Sequence, residues 1–145
     1  IYRASRDGSS GQDFHSHCDG IKNTFTFIKS AEHSRIFGGF TSRTWSSAYG
    51  DASDPNAFIY SVSDQKVFPI DTPDKAIYTT ATSLTNFGCD IIISTIALKT
   101  RTAILGLAQL TNCLKAFKET PPILQLFGGT EEFQVEDLEV FKVMD

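Results

Sequence analysis

Basic clusters, long apolar runs and paired cysteines are all missing from this sequence, and each absence removes a class of function. Lys and Arg number 13 against 17 Asp and Glu, so the formal charge is −4 and the isoelectric point is about 5.3. No group of Lys and Arg supplies the positive footprint that phosphate neutralisation requires, which argues against nucleic acid and against anionic membranes. The longest wholly apolar run, Ala103 to Ala108 counting Gly106, is six residues, whereas a spanning helix needs about 20. No membrane insertion is expected. Cys18, Cys89 and Cys113 are an odd, widely spaced set that suits a reducing compartment, so the cytoplasm is the expected location. Also missing are a Ser-His-Asp order, a phosphate loop, a dinucleotide glycine motif and a His-Glu-x-x-His sequence. Gly38-Gly39 and Gly128-Gly129 are isolated pairs that read as turns or bulges.

Phenylalanine is what the sequence has in quantity. Twelve in 145 residues are expected to supply much of the core, and ordinary hydrophobic (41%) and charged (21%) fractions make a folded chain. No repeat or linker interrupts it, so residues 1–145 read as a single domain. The chain begins with Ile inside an expected strand, Ile1 to Ala4, and is expected to be a fragment of something longer.

Periodicity supplies the elements. Ser10 is placed to cap a short helix, with Asp13 favouring its N-terminus and Asp19-Gly20 ending it. Phe14 and Cys18, at i and i+4, give that helix one apolar face. Thr24 to Lys29 and Arg35 to Thr41 read as an antiparallel hairpin, in which Gly38-Gly39 marks a bulge or a close approach of another backbone. Ser42 to Asn56 reads as a long loop holding the only Trp, Trp45, and Tyr49. Strands resume at Ala57 to Val62, Phe68 to Ile70 and Ala76 to Thr79, with Pro69 and Pro73 confining the last two to edges. Asp90 to Ser94 is apolar on both faces, as a central strand is, and a parity shift across Glu136-Asp137 places a bulge in the final strand. Ala103, Leu107, Leu110, Leu114 and Phe117 form a helical stripe that Pro121-Pro122 stops. The sum is an α+β, β-rich domain of two stacked antiparallel sheets, a β-sandwich flanked by short helices.

The order of segments resembles the TLDc domain family. Tyr2 to Gly8, Phe14-His15, Cys18-Asp19-Gly20, Thr24 to Lys29, Ile36 to Thr41 with Trp45, Asp54 to Ser61 and Phe133 to Val143 carry the similarity, while Thr95 to Gln125 shows little of it. The resemblance implies a β-sandwich of two antiparallel sheets and a link to oxidative-stress resistance. It also implies, in eukaryotic members, binding and regulation of the vacuolar proton-pumping ATPase, with no settled catalytic mechanism. Members usually carry a helical segment before the first strand, which this chain is expected to lack.

The candidate residues are few. Trp45 and Tyr49 are rigid aromatics on a loop and suit an interface, although Trp45 equally suits a fold-back onto the sandwich. Asp51 and Asp54 in the same loop, with Ser53 and Asn56, gather oxygens as a weak calcium site does, but the spacing lacks a calcium loop's Gly and terminal Glu and Asx-turns explain it more simply. Asp7 and Asp19 flank the short helix as a polar contact patch or as turn-capping carboxylates. His15, Cys18 and Asp19 share one side of that helix without the paired ligands of a zinc site, so no metal or other cofactor is expected and His15 is expected to be half exposed. Cys18 and Cys89 are the redox candidates, each with electrostatics unfavourable to a thiolate: a helix C-terminus for Cys18 and the Asp90 charge for Cys89. The expected function is a non-enzymatic protein-interaction module of the TLDc type. By resemblance its partner is a vacuolar proton-pump subunit at an organelle surface. The alternatives are a component of a cytoskeletal or ciliary lattice and a peroxide-consuming thiol protein.

Overall fold

Local chemistry sets the helices that open the chain. After strand β1 (Tyr2–Arg3) come the one-turn helix α1 (Ala4–Asp7) and the longer α2 (Gly11–Cys18). Ser10 Oγ accepts the Asp13 N–H at 3.0 Å, and the Asp13 carboxylate accepts the Ser10 N–H at 3.2 Å, a reciprocal cap. Asp19 and Gly20 end α2, as expected, with Gly20 at φ +79°. Ala4 belongs to α1 rather than to the expected first strand, because Asp7 accepts the Arg3 N–H at 2.9 Å and closes the turn one residue earlier.

The computed structural model describes residues 1–30, 34–70, 73–87, 91–94, 103–105, 132–133 and 135–144. Its further strands are β2 (Thr24–Ser30), β3 (Ile36–Thr41), β4 (Gly50–Ala52), β5 (Phe58–Ser61), β6 (Lys66–Pro69), β7 (Ile77–Thr79), β8 (Ser83–Phe87), β9 (Ile91–Ser94), β10 (Ala103–Leu105), β11 (Glu132–Phe133) and β12 (Val135–Lys142). They form a six-stranded sheet of order β1-β12-β2-β3-β5-β6, a four-stranded sheet β11-β10-β9-β8 and the pair β4-β7, with antiparallel pairing throughout. The hairpin β2–β3, the edge position of Pro69 in β6, the interior position of β9 and the bulge between Val135 and Asp137 all match the sequence reading. Two expectations change. The long loop contains β4, whose short pairing with β7 gives its backbone groups partners. Ala103 to Leu105, the start of the expected helical stripe, is strand β10, held on both sides by β9 and β11, so tertiary pairing overrides the helical period there. The rest of that stripe lies outside the described residues.

The core lies between the large sheet and the elements behind it. Ile28, Phe37, Ile59, Leu138 and Val140 share one face of the large sheet, and Phe14, Trp45, Ile77, Leu84 and Phe87 pack with them in one cluster. Those aliphatic and aromatic neighbours in register with Ile28 decide which way β2 turns. Thr24, Thr26 and Ser30 therefore point inward, fully buried, while Phe25 and Phe27 point outward. The phenylalanines with described side chains divide between the two sides: Phe14, Phe37, Phe68 and Phe87 are interior, but Phe25, Phe27, Phe40, Phe58 and Phe141 are not.

Gly38-Gly39 makes a close approach, without a bulge, since the β2–β3 register runs evenly across it. A Cβ on Gly39 would lie 2.7 Å from the Phe87 ring on the inner face. On the outer face a Cβ on Gly38 would strike the Thr26 carbonyl, which accepts the Tyr60 phenol from across β3.

Turning Thr26 inward has a cost, because its hydroxyl is buried with no hydrogen-bond partner among the described residues. Thr26→Val keeps the shape and removes the orphaned group. Urea unfolding should show a gain of about 1 kcal/mol at unchanged m-value.

Candidate functional site

The residues singled out by sequence separate into two places, and the structure adds a third. The first is the segment between β3 and β5. Asp54 is fully buried, and its carboxylate accepts four hydrogen bonds: from Thr41 Oγ1 (2.8 Å) and the Ser42 N–H (2.7 Å) on one oxygen, and from Ser42 Oγ (2.7 Å) and the Asn56 N–H (3.0 Å) on the other. Burial pushes this carboxyl up, but the hydrogen bonds from Ser42, Thr41 and Asn56 outweigh it and hold the group below the usual carboxylate range. The bond to Asn56 is the Asx-turn that the spacing suggests. Asp51 pairs instead with Lys75 Nζ at 2.7 Å, so the two carboxylates of the loop serve different partners.

Trp45 folds back. It is 1% exposed, its Nε1–H donates to Thr24 Oγ1 at 3.0 Å, and its ring meets Phe14 and Phe87 edge-on at 5.5 and 5.8 Å. Of the two roles open to it, interface anchor is overturned and core residue stands, because an indole with a hydrogen-bonded N–H and two aromatic walls has no surface to offer. Tyr49, by contrast, is 81% exposed and meets Tyr78 edge-on at 5.4 Å beside the Asp51–Lys75 pair. The neighbouring Tyr49 phenol pushes the Tyr78 phenol up to about 12.

The second place is the end of α2. His15 is buried rather than half exposed. Nδ1 faces Asp19 Oδ1 at 2.6 Å and Nε2 faces the Thr80 carbonyl at 2.7 Å, so the ring ties α2 to the β7–β8 connection. Ser47 Oγ donates to the other Asp19 oxygen at 2.6 Å. Serine, carboxylate and imidazole are together, but in an order that activates no nucleophile: Ser47 bonds the carboxylate, and the ring nitrogen that would act as base is held by a carbonyl. Asp7 binds the Arg3 N–H and the Arg6 guanidinium, 2.8 and 2.6 Å away, and the Arg6 bond holds its carboxyl well below the usual range. Cys18 is completely buried, and burial pushes its thiol up to about 12, with Asp19 and Asp7 adding to the shift. A buried thiol so held is a poor source of peroxide-reactive thiolate, which argues against the redox reading of Cys18. Cys89 and Cys113 lie outside the described residues.

The third place was not singled out by sequence. On the outer face of the large sheet, Phe25, Phe27, Phe40, Phe58, Tyr60 and Phe141 form a continuous set of rings. Phe25 meets Phe40 at 4.9 Å, Phe40 stacks on Phe58 at 5.2 Å, and Phe27 meets Tyr60 and Phe141 at 5.5 and 5.7 Å. Tyr60 is buried among its neighbours, the other five rings lie outside the core, and Phe141 and Val67 are 47% and 62% exposed. A groove of about 390 Å³ runs along Phe25, Phe27, Phe58, Tyr60 and Val67. Lys29 was the signal for this face: it shares strand parity with Phe25 and Phe27, and an unburied lysine places both phenylalanines outside with it.

Two substitutions separate framework from surface. Trp45→Ala should cost about 3–5 kcal/mol in urea unfolding. Asp54→Asn should cost about 3 kcal/mol at pH 7, by removing the charge and turning an amide donor toward other donors. Because the folded carboxyl titrates below its ordinary 3.8, its contribution is complete above that pH and is lost as pH falls through the folded value. The gap between wild type and Asp54→Asn should therefore narrow as the pH drops below about 4.

No curated protein matches the sequence. The family model of the TLDc domain matches residues 1–144, and the strand-rich sandwich with its short flanking helices agrees with what that resemblance implies. The chain belongs to the TLDc domain family.

Proposed function

We propose that this chain is a non-enzymatic protein-interaction module that docks on a large assembly through the outer aromatic face of its six-stranded sheet. The vacuolar proton-pumping ATPase is the leading partner, by family, and a contribution to oxidative-stress resistance follows from that association. Action on the cytoplasmic side of an organelle belongs to the same reading. The observation that carries the proposal is the run of outward aromatic rings, which among the described residues pack on one another and not under a second layer. Apolar patches of that kind on a folded surface mark interaction sites. The polar groups are arranged as a framework: Asp7, Asp19, Asp54 and His15 are all engaged internally, and the Cys18 thiol is sealed. Tyr49 and Asp51 remain surface groups able to make a secondary contact.

The test is cross-linked capture from cell lysate with the tagged domain, beside Phe141→Lys and Tyr49→Ala. Proton-pump subunits should be recovered with wild type and reduced about tenfold by Phe141→Lys, with the melting temperature little changed. Loss with Tyr49→Ala alone would move the contact to the β4–β7 side. Recovery of cytoskeletal or ciliary proteins would favour a lattice component. Peroxide consumption by purified protein, abolished by Cys89→Ser, would favour the thiol reading.

A further inference from the structure

The aromatic face continues into an acidic groove at the β12 bulge, and that continuity constrains what docks there. The second groove, about 520 Å³, is lined by Phe27, Ile36, Lys29, Glu136, Asp137 and Glu139, with Ser5 and Ile28 completing it. Phe27 lines both grooves, so they form one surface running from β6 across β5, β3 and β2 to β12. Three carboxylates stand against one lysine in the acidic end. Glu136 pairs with Lys29 at 3.0 Å and Glu139 with Arg3, while among the described residues Asp137 is met only by neutral donors: the Ser5 N–H (3.1 Å), Ser5 Oγ (2.8 Å) and the Leu138 N–H (2.9 Å). The two ion pairs are about half exposed on at least one partner, and such pairs exchange partners at little cost. The other end of the surface is rimmed by Lys66.

Resting on the reading of this face as the docking surface, we infer that its occupant is a basic amphipathic segment of a partner protein. Its apolar side chains lie on the Phe25–Tyr60 rings, and a Lys or Arg at one end reaches Glu136 and Glu139. The opposite charge of Lys66 sets the direction in which the segment lies. Four strand spacings of about 4.8 Å separate β12 from β6, roughly 19 Å, which a helix of about 13 residues spans.

The test is selection from a displayed random library of peptides about 15 residues long, a length set by that span. The intact domain is the target, with Phe141→Lys as the counter-target. The selected peptides should carry apolar residues with Lys or Arg clustered toward one end, and should not bind Phe141→Lys. The best of them should bind Glu136→Lys about tenfold more weakly and lose affinity as salt rises. Neutral or acidic peptides that still depend on Phe141 would overturn the basic segment while leaving the docking face intact. If no peptide depends on Phe141, and proton-pump capture is also indifferent to Phe141→Lys, both readings fall. A dimer in sedimentation that Phe141→Lys dissociates would assign the face to a second copy and overturn the inference.

Discussion

Two adjacent glycines in β3 let both faces of the large sheet be used at once. Gly39, on the inner face, leaves the space in which the Phe87 ring of the second sheet sits, so the two layers approach closely where a side chain would hold them apart. Gly38, on the outer face, leaves a gap across which Tyr60 reaches from β5 to the Thr26 carbonyl on β2. Burial pushes that phenol up, so it stays protonated and remains a donor across the physiological range. The core and the external aromatic face thus depend on the same two missing side chains. Had β3 carried β-branched residues there, the sheet would be locally stronger, but the layers would separate and Tyr60 would stand away from the sheet.

The polar residues act mainly as ties between elements. Asp54 gathers the start and end of the segment between β3 and β5 around one buried carboxylate, and Trp45 closes over Phe14 and Phe87 with its N–H satisfied. His15 does the same for α2, fixing it to the β7–β8 connection through Thr80 and to Asp19. Such ties make a rigid platform of the kind a binding surface needs. Preorganised side chains lose less freedom on docking.

A balance between apolar area and charge defines the exposed side. Aromatic rings in mutual contact supply area and shape, and the carboxylates of the β12 bulge supply direction. The bulge matters for this reason: it changes the parity of β12 after Val135, so that Leu138 and Val140 face the core while Glu139 and Phe141 face out. Acidic and aromatic groups are thereby brought to the same face as Phe25 and Phe27.

Local sequence by itself determined the elements that rest on local chemistry. These include the Ser10–Asp13 cap, the stop at Asp19-Gly20, the β2–β3 hairpin, the edge placement of Pro69, the β12 bulge and the Asx-turn at Asp54. Family membership was also legible, because it rests on the order of such segments along nearly the whole chain. Tertiary structure alone decided what depends on partners distant in sequence. It chose a strand for Ala103 to Leu105 through pairing on both sides, buried His15 against Thr80, and folded Trp45 inward onto Thr24. Most consequentially, it turned Thr24 and Thr26 in and Phe25 and Phe27 out. An alternating strand offers either face to the core with equal local regularity, and only the strands paired beside it, carrying Phe37, Leu138 and Val140 in register, break that symmetry.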